Sequence, residues 1–278
     1  MRTIDLASKM GLFLHSFTFP WLENKRYYPY SILYPKKLRN IEFDPITILY
    51  GSNGSGKSTI MNIIARKLGV EMIDKGNDSE YFEKIISGCR FISQGNTLSD
   101  IPDEDWGHIP NGSRFIRSEE VMHALIKVRR RNELIKLQLK GDDPELYEDI
   151  FVKGVVVGGD SRIAGLELFM DKFRESRSNG ELAMGYFFDN IEPNTLVMLD
   201  EPENSLSPKF QKELADLILK YARYFKTQFI IATHSPFFLM MLGAKIYNLD
   251  AKPSKVCRPD ELETIQLYKE LFKETLKT

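Results

Sequence analysis

Two cysteines in 278 residues, Cys89 and Cys257, are too few for a disulfide framework. That excludes the small stapled secreted folds and suits a reducing cytoplasm. Neither charge sign dominates. With 38 Lys and Arg against 39 Asp and Glu, no overall field argues for a nucleic-acid or membrane-surface partner, although the balance is compatible with a local basic patch. Long apolar runs are missing too. The longest, Pro236 to Gly243, falls far short of the roughly 20 residues that span a bilayer, so no direct membrane insertion is expected. The opening Met-Arg-Thr-Ile-Asp lacks the charged-then-apolar order of a secretory signal. No internal repeat and no low-complexity tract is visible. What is present, 42% apolar residues, supports a sizeable core in one large α/β domain, or one domain with a subdomain.

The most informative stretch is Gly51-Ser52-Asn53-Gly54-Ser55-Gly56-Lys57-Ser58-Thr59, which fits G-x-x-x-x-G-K-[ST], the phosphate-binding loop. Its flanks suit it. Ile46-Thr-Ile-Leu-Tyr50 reads as a short buried strand. Ile60, Ile63, Ile64 and Leu68 recur at helical spacing, and Gly69 stands where a C-cap glycine belongs. Glycines let the backbone curl and aim N–H groups at an anion, and the helix N-terminus adds partial positive charge. Lys57 is placed to reach the β- and γ-phosphates of a nucleotide, and Ser58 to offer a hydroxyl to Mg²⁺.

Along the chain, residues 11–19 alternate as a strand, and 23–40 read as irregular or as a hairpin. Residues 74–88 give a mixed signal. Residues 89–93 read as a strand and 95–116 as a Pro- and Gly-marked loop. Ser118 to Leu139 reads as a long helix with Ser118 as N-cap. Val152 to Val157 suits a strand, and 163–176 and 181–191 suit helices. Leu196–Leu199 and Gln228–Ala232 are buried strands by pattern, 207–225 is an amphipathic helix, and a tail helix follows Pro259. Apolar strands alternating with helices imply an α/β fold: a mixed, mostly parallel sheet flanked by helices.

Three further groups bear on chemistry. Leu196-Val-Met-Leu-Asp200-Glu201-Pro202 delivers two adjacent carboxylates at the C-terminal end of a strand, where open α/β sheets bind ligands. Asp200 suits Mg²⁺, and Glu201 suits taking a proton from an attacking water. His234, just past another buried strand, is placed to donate to a γ-phosphate. The amide of Gln94, at a strand end, is a candidate for Mg²⁺ or for the water. Each has a plainer alternative: a solvated acidic turn, a structural histidine, a surface glutamine. Tyr27, Tyr28 and Tyr30 are either adenine-stacking or packing residues. Lys127 with Arg129-Arg-Arg131 is either a phosphate-backbone contact or a solvated helix face.

The order of these groups carries a resemblance. Phosphate loop, Gln94, Ser178-Asn-Gly180-Glu181, Asp200-Glu201 and His234 follow one another as the motifs of ATP-binding-cassette (ABC) ATPases do. The resemblance covers about residues 11–250. Asp200-Glu-Pro-Glu-Asn-Ser-Leu206 and Ala232-Thr-His-Ser-Pro236 look like the SMC, RecF and overcoming-lysogenization-defect branch, whereas transporter cassettes usually read Asp-Glu-Pro-Thr-Ser-Ala-Leu-Asp. The chain departs from the common forms at Asn179, where the signature usually has glycine, and at Ser207, where many relatives carry histidine.

The resemblance implies a P-loop ATPase domain over 1–250, a helical insert over 95–180 bearing the signature, and a C-terminal helical tail over 251–278. It implies catalytic roles for Lys57, Gln94, Glu201 and His234, and Mg²⁺ ligation by Ser58, Asp200 and Gln94. It also implies a homodimer that sandwiches ATP, with Ser178 and Gly180 of one copy on the γ-phosphate held by the other. A separate effector protein, as in bacterial defence against phage, is implied by the branch. The insert is too short for the long coiled coil of SMC proteins and shows no sustained heptads. A DNA-repair or chromosome-associated ATPase, a transporter subunit and a slowly hydrolysing scaffold are the alternative readings.

Overall fold

A computed structural model describes residues 12–23, 26–73, 79–93, 109–138 and 178–275, with only the backbone helix over 129–138. The strand expected at 152–157, the helix expected at 163–176 and Gln94 lie outside the described residues, as do the side chains of Arg129–Arg131.

The chain runs β1 (Leu14–Thr18), α1 (Tyr30–Leu33), a 3-10 turn (Tyr34–Lys36), β2 (Asn40–Glu42), β3 (Ile46–Tyr50), α2 (Lys57–Leu68), α3 (Glu80–Gly88), β4 (Arg90–Ser93), β5 (Arg114–Arg117) and α4 (Ser118–Gln138). It continues with α5 (Asn179–Asn190), β6 (Leu196–Asp200), a 3-10 turn (Pro202–Ser205), α6 (Pro208–Tyr224), β7 (Gln228–Thr233) and α7 (Pro236–Leu239). β8 (Lys245–Asn248), β9 (Lys255–Cys257), a 3-10 turn (Pro259–Glu261) and α8 (Glu263–Thr275) complete it.

Six strands form the main sheet in the order β5-β6-β7-β3-β8-β9; the first five are parallel and β9 is antiparallel to β8. β2-β1-β4 form a separate antiparallel sheet. The main sheet is covered on both faces, which is why β3, β6 and β7 are continuous apolar runs with every residue buried. Leu49, Met198 and Ile230 point to one side, where α2, α3 and the antiparallel sheet complete the core. Ile48, Leu199 and Ile231 point to the other, against α4 to α8. Gln228, itself buried, ties the two sheets: its Nε2 donates to Leu14 O at 2.7 Å and its Oε1 accepts from Leu14 N at 2.9 Å.

Four readings change. Arg114–Arg117, which overlaps the end of the segment read as a loop, is a strand that pairs in parallel with β6. Its ends are charged and only two of its residues are apolar, too little for a pattern; a partner strand supplies the rest. The described part of 23–40 contains α1 and a 3-10 turn rather than a hairpin. Residues 80–88 form α3, capped by Ser79, whose side chain accepts from Phe82 N. The main sheet also continues past residue 250 into β9. Among the described residues no helix is long and apolar enough to cross a membrane.

Candidate functional site

Strand register levels the functional residues. Tyr50 pairs with Thr233 and Asp200 with Ala232, so the phosphate loop, Asp200-Glu201 and His234 all leave the sheet at one edge. Parallel strands impose this, because their C-terminal ends lie on the same side.

The loop closes tightly on itself. Gly56 caps α2 with φ of 89°, a conformation that favours glycine, and a Cβ there would meet Ile32 Cγ2 at 2.6 Å. The loop is also tied down: Ser52 donates from N to Asp250 Oδ2 at 2.8 Å and from Oγ to Asp250 Oδ1 at 2.9 Å. Lys57, only 4% exposed, donates to Gly51 O at 2.7 Å and Ser52 O at 3.3 Å, and its ammonium lies 3.2 Å from Glu201 Oε1. A cavity of about 340 Å³ opens beside it, lined by Asn53, Gly54, Gly56, Lys57, Ser58, Thr59, Glu201 and Ile32.

Asp200 and Glu201 are neighbours with opposite electrostatics. Burial foremost, with the charges of Glu201 and Glu119 adding to it, pushes the Asp200 carboxyl up to about 6 despite a Ser58 hydrogen bond and nearby Arg117. Its Oδ1 is buried without a partner. Burial acts on Glu201 in the same direction, but hydrogen bonds from Asn204 and Lys57 and the positive charge of Lys57 outweigh it and hold that carboxyl below its usual range. Glu201 also adopts φ of 48°, uncommon for a side chain of this size and of the kind found at active sites.

An orphaned carboxylate oxygen next to a serine hydroxyl fits a hard cation that takes its other ligands from phosphate and water. Among the described residues no group of three or more His, Cys, Asp or Glu stands ready to hold a metal by itself. A second cavity, about 350 Å³, adjoins this pair; Ser58, Asn62, Arg117, Glu119, His123 and Asp200 are among its lining.

His234 has a half-exposed side chain close enough for its charge to act on Glu201. Its backbone N–H donates to Glu203 Oε1 at 2.8 Å. Glu203 and Asp250 are residues that the sequence reading missed. Glu203 lies in the quoted Asp-Glu-Pro-Glu wording, and Asp250 had no local signal.

Ser178 and Gly180 do not line the cavity beside the loop. Ser178 caps α5 in a capping box: its N donates to Glu181 Oε2 at 2.9 Å, and its Oγ accepts from Glu181 N at 3.4 Å. Gly180 packs against Phe210. Of the three tyrosines offered to adenine, Tyr27 stacks on Tyr81, Tyr28 stacks on Phe82, and Tyr30 is buried. They are packing residues, and the apolar group that does face the loop is Ile32.

Residues 79–240, more than half of the chain, match the family described as "AAA domain, putative AbiEii toxin, Type IV TA system". The chain belongs to this family. It is an ABC-type ATPase built on the P-loop fold, and residues 22–133 also match a family described as "AAA domain". The ATPase is similar to the tungstate uptake system ATP-binding protein TupC of Peptoclostridium acidaminophilum, 27% identical over 76% of this chain and 84% of that one. In fold it is similar to an ATP-binding cassette of an ABC transporter in its ADP conformation (14% identical, covering 93% of this chain and 98% of that one, TM-score 0.48). It is also similar to the SMC head domain from Thermotoga maritima (16% identical, 89% and 99%, TM-score 0.41).

Proposed function

We propose that this ATPase hydrolyses ATP with Mg²⁺ in a homodimer whose closing and opening gate a separate effector. The convergence of Lys57, Asp200, Glu201 and His234 at one sheet edge carries the reading. The loop N–H groups and Lys57 take the β- and γ-phosphates, Lys57 exchanging its carbonyl partners for phosphate oxygens. Ser58 and Asp200 would hold Mg²⁺, which supplies charge neutralisation on those oxygens, and Gln94 would orient the metal or the water. Glu201, kept ionised, accepts the proton as water attacks the γ-phosphorus and the bond to the β–γ bridging oxygen breaks, giving ADP and phosphate. His234 donates to the γ-phosphate.

Ser178 and Gly180 of a second copy would complete the site. ATP then contacts both copies and ADP does not, and that difference in affinity drives closure. The family description names a toxin system; an effector acting in defence against phage is part of the proposal. The test is the oligomeric state of Glu201→Gln by light scattering. A dimer with ATP and a monomer with ADP is expected; a monomer under both conditions overturns the dimer.

The likeness to TupC favours a second reading, a nucleotide-binding subunit docked on a membrane partner. Copurification of a membrane protein from the native host would select it; a soluble partner would select the first.

A further inference from the structure

Glu203 sits two residues past Glu201, in the turn Pro202–Ser205, and its side chain is 6% exposed. One oxygen, Oε1, collects three donors from the end of β7: the Thr233 hydroxyl at 2.6 Å, His234 N–H at 2.8 Å and Ser235 N–H at 3.2 Å. The same oxygen stands 3.4 Å from His234 Nδ1. A second path closes the ring. Gln211 Nε2 donates to Leu206 O at 2.9 Å, and Gln211 Oε1 accepts from the Ser235 hydroxyl at 2.7 Å. The turn after the catalytic carboxylates, the start of α6 and the loop carrying His234 are thus one hydrogen-bonded unit.

A carboxylate this deep is expensive to desolvate, and a neutral side chain would staple a turn at lower cost. The charge faces one ionisable partner within this unit, the His234 imidazole.

We infer that Glu203 is the positioning residue of His234: it fixes the backbone of 233–235 and holds the Nδ1 side of the ring, leaving Nε2 for the ligand. The inference rests on the catalytic reading of His234 given above. It adds that the histidine's placement is set by the turn leaving Glu201, so the base and the phosphate donor move together.

The test is a double-mutant cycle with Glu203→Gln and His234→Ala, read as kcat and KM and combined with imidazole NMR of the nucleotide-free protein. The chain has four histidines, so the His234 ring resonances are assignable. Glu203→Gln is expected to lower kcat about tenfold or more with KM for ATP nearly unchanged. In the His234→Ala background it should change kcat by less than about twofold. The His234 resonances should shift in Glu203→Gln while the other three histidines hold still. Equal losses of kcat with and without His234, or an unmoved His234 signal, would overturn the inference. Wild-type turnover in His234→Ala would instead remove the catalytic reading of that residue, and the NMR shift alone would then decide whether Glu203 positions it. Should Glu203→Gln not fold, Glu203→Asp carries the same cycle and the same resonance test.

Discussion

The Lys57 ammonium lies 3.2 Å from Glu201 Oε1, so the two residues assigned to phosphate binding and to proton transfer neutralise each other across the cleft. An arriving triphosphate competes with Glu201 for Lys57. In the proposed mechanism, phosphate binding and release of the base are thereby one event. Glu201→Gln removes the competitor along with the base. Its turnover should fall by a factor of about 100 or more, while ATP affinity stays equal or rises. Equilibrium binding of labelled ATP beside a phosphate-release assay checks both halves. Lys57→Ala should abolish binding.

Asp200 gives a pH dependence with a definite sign. Its carboxyl titrates near 6 in the folded protein against an ordinary value of 3.8, so at intermediate pH the folded state binds a proton that the unfolded chain has lost. Stability from this group therefore rises as pH falls from 7 through 6, and levels off once the unfolded group is protonated too. At neutral pH the ionised form costs on the order of 3 kcal/mol. Asp200→Asn should stabilise the nucleotide-free protein by about that much at neutral pH and by clearly less near pH 4.5, while abolishing turnover. Urea denaturation of both proteins at the two pH values measures the difference, and a gap independent of pH would contradict it.

Signature variants need the fold taken into account. A Cβ on Gly180 would meet Phe210 Cδ2 at 2.2 Å, so Gly180→Ala should lower stability by about 1–3 kcal/mol before any dimer contact is considered. Ser178→Ala should lose about 1 kcal/mol with its cap. Ser178→Asp keeps a capping side chain and, in the proposed dimer, would set a negative charge against the γ-phosphate. In that variant, unchanged melting temperature with loss of ATP-driven dimerisation would report the contact between copies; an intact dimer would argue against it.

The Gln228 amide is the polar clamp between the two sheets, and Gln228→Leu leaves the Leu14 N–H and C=O buried without it. The expected cost is about 2–4 kcal/mol. Thermal melting with and without ATP tests this, because a loosened antiparallel sheet should also weaken the α2 side of the core that carries Lys57.

Much of the site was readable in advance because its signals are local. The glycine loop, the apolar runs of β3, β6 and β7, and Asp200-Glu201 each combine a backbone preference with a burial pattern inside ten residues, and those patterns survive folding unchanged. β5 was not readable, since Arg-Phe-Ile-Arg has no alternation long enough to mark a strand until β6 lies beside it. The tyrosines stayed ambiguous for the same reason: whether a ring is free to stack on a base or packs on Tyr81 depends on a helix fifty residues away.

Chain chemistry alone thus set the candidate site, a glycine loop with its lysine, and which carboxylates stand next to each other. Three-dimensional packing set everything that joins distant segments: Asp250 on Ser52, Gln228 on Leu14, Glu203 on His234. The reason is physical. Hydrogen bonds across 30 to 214 positions are specified by strand register and burial, which no short window of residues encodes.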